Sequence, residues 1–227
     1  MSAVAALPHA PEAVIFDMDG LMLDSERAIL DCLRRAAAEQ GADVEPDWWL
    51  RTIGHTEDVC RELLGARIGA AAAAALLERG HALYVAVAEA GVPHRPGIVE
   101  LLELLAAHGV PRAVATSTRR PLALRKLAAA DLLWRFDAVC TSSDVPRPKP
   151  APDVYLLAAQ RLGVAPSRCL VLEDSPTGVR AALAAGMTPV QVPDLLAPDD
   201  AVRALGHRIV GSLADAQALL SPWLRGR

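Results

Sequence analysis

Four short stretches of this chain carry side chains that could do chemistry together. Asp17 and Asp19 stand two apart in Phe16-Asp17-Met18-Asp19-Gly20. Thr116 and Ser117 follow the apolar run at 112–116, and Lys149 lies between Pro148 and Pro150. Glu173 and Asp174 follow the apolar run that starts at Cys169. Four carboxylates in one cleft repel one another unless a cation neutralises them, and an oxygen-only donor set suits a hard ion such as Mg²⁺. With the Lys149 ammonium beside it, such a centre would attract a phosphate group.

These stretches can meet only if particular elements carry them. Val14-Ile15-Phe16 reads as a short buried strand ending at Asp17, with a turn through Asp19-Gly20. A helix follows from Ser25, with Ile29, Leu30, Leu33 and Ala37 in period, and stops near Gly41. Residues 46–91 read as further helices punctuated by glycines. From Pro96-Gly97 onward the pattern alternates. Helices are expected at 98–108, 119–130, 152–162, 177–185 and 213–220, and strands at 112–116, 136–140, 169–172, 189–192 and near Ile209. Such alternation implies an α/β fold, a parallel sheet with helices on both faces. Ligands of such sheets bind beyond the carboxyl ends of the strands, where all four stretches fall.

The first strand is separated from the regular alternation by about 70 residues of helix, too many for a loop and better read as a small inserted domain. The expected division is a core of residues 1–24 plus 95–227 and an all-helical insert of residues 25–94. The insert holds seven basic and eleven acidic residues, so the excess acid of the whole chain lies there.

Composition excludes several classes of function. The 227 residues are 52% hydrophobic and 22% charged, which suits a folded chain with a sizeable core. A net charge of -4 argues against nucleic acid as a partner. Cys32, Cys60, Cys140 and Cys169 are isolated, which disfavours a zinc site or a disulfide framework. Residues 1–13 show no basic region ahead of apolar residues, and the Ala-rich stretch 68–77 is too short to span a bilayer. A cytoplasmic monomer without membrane contact is the expectation.

Taken in order, Phe16-Asp17-Met18-Asp19-Gly20, Thr116, Lys149 in Lys-Pro-x-Pro-Asp, and Leu172-Glu173-Asp174-Ser175 resemble the haloacid dehalogenase superfamily, in its phosphatase and phosphosugar-mutase branch. The resemblance runs over essentially the whole chain. It implies a Rossmann-like core with a helical cap, and a Mg²⁺-dependent phosphatase of small phosphorylated metabolites, most naturally sugar phosphates. Asp17 would be the nucleophile that forms an aspartyl-phosphate. Asp19 would be general acid and then base, which asks for a proton affinity above that of Asp17. Mg²⁺ would be held by Asp17, the Asp19 carbonyl and Asp174, with Glu173 acting directly or through water. Thr116, the Ser117 N–H, Gly20 and Lys149 would serve the phosphoryl group.

Lys149 is one of only two lysines, with Lys126, in a chain of 21 arginines, so a compact point charge is kept where arginine is the habit. A cis Lys149-Pro150 bond is expected between the two prolines. The resemblance also makes the insert the selector of substrate, with hinges near Leu23-Asp24 and at 93–96. Glu26, Arg51 and His55 are the candidates there, while Trp48 and Trp49 read as insert core. A phosphosugar mutase is the nearest rival. Mutases of this branch commonly carry His where Ile29 stands and a basic residue where Glu57 stands. A phosphoglycolate-type phosphatase and a non-catalytic phosphate-ester binder are the more distant rivals.

Overall fold

Six parallel strands in the order β3-β2-β1-β4-β5-β6 form the centre of the protein. The computed structural model describes residues 10–53 and 57–224. The strands are β1 (Ala13–Phe16), β2 (Arg112–Thr116), β3 (Ala138–Thr141), β4 (Cys169–Glu173), β5 (Thr188–Gln191) and β6 (Arg208–Ile209). Alternate side chains of β1 enter two different cores. Val14 and Phe16 pack with Val114, Leu170 and Leu172 under α4 (Ile98–Ala107), α5 (Arg120–Ala129) and α9 (Leu213–Leu224). Ala13 and Ile15 pack with Ala113, Ala115 and Val171 under α6 (Asp153–Leu162) and α7 (Pro176–Ala184). Burial on both faces is why these strands read as unbroken apolar runs rather than alternating ones. A short helix, α8 (Asp200–Arg203), links β5 to β6.

Helices α1 (Ser25–Glu39), α2 (Glu57–Ile68) and α3 (Ala70–Ala90) are inserted after β1, with a 3₁₀ turn at Pro46–Thr52. Residues 46–52 thus form a tighter turn than the α-helix expected there. The insert has a core of its own: Leu30, Leu33, Ala36 and Ala37 of α1 meet Trp49, Leu64, Ala73 and Leu76. The spacing of the four α1 residues places them on one helix face. Gly80 lets α3 close on α1, because a Cβ there would stand 2.6 Å from Leu33 Cδ2.

The two connections between insert and core run side by side. The Asp24 N–H donates to Pro93 O (2.9 Å) and the Arg95 N–H to Met22 O (2.8 Å). Arg27 on α1 and Arg95 beyond α3 both donate to Asp194 Oδ1, at 2.8 and 2.5 Å, on the loop after β5. Leu195 of that loop packs against the insert core. No helix among the described residues is long and apolar enough to cross a membrane.

Candidate active site

Strand register brings the chemistry-bearing residues to one edge. Phe16 is paired with Val114 on one side and Leu172 on the other, so Asp17, Thr116 and Glu173 emerge together. β1 is also where the sheet's strand order reverses direction, the position at which open α/β sheets leave a crevice. The Asp17 N–H still donates to Leu172 O at 3.0 Å, which holds the nucleophile candidate against the sheet. Beyond it the chain turns sharply through Gly20, whose φ is +77°. Its N–H points at Leu23 O (3.0 Å) and Ser25 Oγ (3.1 Å). A Cβ at Gly20 would lie 2.2 Å from Asp174 Oδ2, so glycine is required by both conformation and space.

Lys149 is the hub of the buried charges. Its Nζ donates to Asp17 Oδ1 and to Glu173 Oε1, each at 2.6 Å, and lies 4.7 Å from the centre of the Tyr155 ring. The Lys149-Pro150 bond is cis, as expected between the two prolines. Glu173 is wholly engaged. Besides Lys149 it accepts from Tyr155 Oη, the Ser175 N–H and Ser175 Oγ, each at 2.9 Å. Ser175 then caps α7 by accepting from the Gly178 N–H at 3.0 Å. Gly178 is what lets Glu173 lie over this helix start, since a Cβ there would fall 1.6 Å from Glu173 Oε1.

Asp19 points elsewhere. Its Oδ1 takes an ion pair from Lys126 on α5, and its Oδ2 accepts from Thr118 Oγ1 at 2.6 Å. Lys126 is itself buried and donates to Tyr84 Oη of α3 at 2.6 Å. The inserted helices therefore reach the second aspartate through a tyrosine and a lysine. Sequence reasoning missed Lys126, Tyr84, Tyr155 and Gly178. For Lys126 a signal existed, because the scarcity of lysine that marks Lys149 marks it equally.

Burial pushes the Asp17 carboxyl up to about 7, with Glu173 and Asp19 adding to the rise and Lys149 opposing it. Burial pushes Asp19 up too, but the charge and hydrogen bond of Lys126, aided by Thr118 and Ser25, hold it below the ordinary carboxylate range. In the metal-free site Asp17 therefore holds its proton more tightly than Asp19, because a cation is buried behind Asp19. Asp174 is raised well above its ordinary value by burial and by the charges of Glu173 and Asp17.

Asp17, Glu173 and Asp174 offer carboxylate oxygens within 4.8 Å of one another. No described residue gives the Asp174 carboxyl a salt bridge or hydrogen bond. A crowded, uncompensated, oxygen-only group of this kind fits a hard divalent cation.

A cavity of about 530 Å³ opens over these residues. Thr116, Ser117 and Lys149 line it beside the acids, and Glu26 of α1 lines it from the insert. Arg51 does not. It sits in a separate surface depression with Glu45, Asp47, Trp48 and Arg67. Position 50–51 faces outward because the 3₁₀ turn spends Trp49 on the insert core. His55 lies outside the described residues.

The model of the haloacid dehalogenase-like hydrolase family matches residues 11–186, a span that contains all four motif stretches. This chain belongs to that family. A phosphorylated carbohydrates phosphatase of Thermotoga maritima is 34% identical over 213 residues, covering 92% of this chain and 90% of that one. Hexitol phosphatase B of Escherichia coli is 34% identical over 222 residues, covering 93% and 96%. A haloacid dehalogenase family hydrolase of Deinococcus radiodurans, solved with bound phosphate and sodium, superposes with a TM-score of 0.80 at 33% identity. That match covers 95% of this chain and 97% of the other. The resemblance read from the four motifs is therefore met across the chain, and the parallel core with its helical insert is the fold of the family.

Proposed function

We propose that this hydrolase is a Mg²⁺-dependent phosphatase of small phosphomonoesters, sugar or polyol phosphates above all, working through an aspartyl-phosphate on Asp17. The observation that carries the reading is Lys149 bridging Asp17 and Glu173 at 2.6 Å each, beside the uncompensated Asp174. A site that already stores one ammonium and room for a cation around a carboxylate is built to receive a phosphoryl dianion. The Thermotoga and Escherichia relatives, both named as phosphatases, point the same way.

Asp17 attacks phosphorus and the ester oxygen leaves, so that one difficult displacement becomes two easier ones. Lys149 stays within reach of the attacked group and neutralises its oxygens. Thr116 and the Ser117 N–H hold the remaining phosphoryl oxygens in line. Asp19, when protonated, gives its proton to the leaving oxygen, and when ionised takes one from the water that releases phosphate. Asp17, Asp174 and the Asp19 carbonyl would hold Mg²⁺, which supplies charge neutralisation and lowers the proton affinity of Asp17. Glu173 keeps Lys149 and the start of α7 in place behind this group. Residues 25–94 serve as the cap that excludes water, with hinges at Leu23-Asp24 and 93–96.

Phosphorus NMR of a sugar phosphate incubated with the protein and Mg²⁺ tests the reading. Growth of the inorganic phosphate signal is expected. A new ester signal in its place would show a mutase, and an unchanged spectrum across a panel of sugar and polyol phosphates would overturn the proposal.

A further inference from the structure

We infer that Glu26, backed by Asp194, restricts the substrate to esters whose departing portion is uncharged and rich in hydroxyls, and turns away esters that carry a second anion. The inference rests on the phosphatase reading and deepens it. Glu26 lies in the first turn of α1, at the start of the insert, and lines the cavity. It has no hydrogen-bond or ion-pair partner among the described residues, unlike the other acids of the cleft that face an ammonium or guanidinium.

Asp194 lines the same cavity with a side chain only 3% exposed. Its Oδ1 is taken by Arg27 and Arg95, yet its Oδ2 is buried and has no partner among the described residues. Besides Asp174, two carboxyl groups with acceptor capacity left over therefore border this space. Hydroxyl groups are the donors that satisfy such acceptors without adding charge.

The rest of the lining reinforces this selection. Among the described lining residues the one cation is Lys149, and it is already spent on Asp17 and Glu173. Arg27 and Arg95 pair with Asp194 and do not line the cavity. Ile53, Leu195 and Leu196 also line the cavity, and their side chains offer nothing to an anion. Burial first, and then the charges of Asp19 and Asp194, push the Glu26 carboxyl up to about 7, in keeping with a lining short of cations. A carboxylate or second phosphate on the substrate would be desolvated in that space without a counter-charge, which is selection by repulsion.

A matched pair of esters tests this. Sorbitol 6-phosphate and 6-phosphogluconate have the same carbon skeleton and differ in a terminal hydroxymethyl against a carboxylate. The wild-type protein should favour the polyol ester in kcat/KM by about tenfold or more, and Glu26→Gln should shrink that ratio about tenfold. A purely structural role for Glu26 would lower both values together and leave the ratio unchanged. Thermal unfolding checks that the variant folds. Glu26→Ala provides a second variant in which the ratio must also fall. Equal kcat/KM for the two esters, or a ratio unmoved in both variants, would refute the inference alone. Failure of the wild-type protein to hydrolyse either ester, or any other phosphomonoester, would refute the phosphatase reading and the inference with it.

Discussion

Replacing Gly178 by alanine should do far more damage than the exchange suggests. Gly178 lies in α7, where Gly→Ala ordinarily stabilises by about 1 kcal/mol through helix propensity. Here the new Cβ would fall 1.6 Å from Glu173 Oε1 and 1.9 Å from Glu173 Cδ. Contacts that short cannot persist, so Glu173 must leave its place. It is buried at 1% exposure and accepts hydrogen bonds from Lys149, Tyr155 and Ser175. Breaking a buried ion pair of this kind costs about 3 to 5 kcal/mol. At about 2 to 4 °C per kcal/mol for a chain of this size, the melting temperature should fall by about 6 to 20 °C. Lys149 loses one of its two anchors, and a displacement of about 1 Å at the phosphoryl site should lower kcat about 100-fold. Thermal unfolding followed by circular dichroism, with phosphate release on the same samples, reads both. The sign is decisive, because propensity alone predicts a gain in stability. A variant that melts at or above the wild-type temperature with full activity would refute the packing argument.

Two further substitutions test the charges around the cleft. Lys126→Met removes the cation between Asp19 and Tyr84 and should cost about 3 kcal/mol at neutral pH. Because Lys126 depresses the Asp19 carboxyl, the stability it confers is present above the unfolded carboxyl value of about 3.9 and is lost as pH falls through the lower folded value. Urea titrations of the two proteins should therefore converge at acid pH, and a gap that persists there would contradict the pairing. Asp174→Asn should act in the opposite direction on the metal-free protein. Burial, Glu173 and Asp17 raise the Asp174 carboxyl, so its ionised form costs folding free energy above about pH 3.9, and removing that charge should raise the melting temperature in EDTA. The same variant should lose the stabilisation by Mg²⁺ that the wild-type protein shows. A fall in melting temperature in EDTA would show that Asp174 is not electrostatically strained.

The sheet was legible because its strands are short apolar runs, three of them closed by residues of chemical interest, and most of the helices between them have clear glycine stops. The nucleophile candidate, Thr116, Lys149 and the Glu173-Asp174 pair were legible for the same reason, since strand ends in a parallel sheet must converge. Lys126 and Tyr84 were not. They lie mid-helix at 126 and 84, far from any strand end, and meet Asp19 only because the inserted α3 packs beside α5. Gly178 was hidden because a glycine within a helix has several readings, and the one that applies here depends on where Glu173 folds back. Arg51 shows the converse error. The resemblance placed its part of the insert over the cleft, but burying Trp49 in the insert core turns its neighbours outward.

The most direct test of the central claim is phosphate release by the wild-type protein and by Asp17→Asn, side by side, from a hexitol or sugar phosphate with Mg²⁺ and with EDTA. Asparagine keeps the shape of the side chain and removes the attacking carboxylate. Release that requires both Mg²⁺ and Asp17, falling at least about 1000-fold in the variant, is the predicted result. Comparable release by Asp17→Asn, or by the wild-type protein in EDTA, would contradict the account.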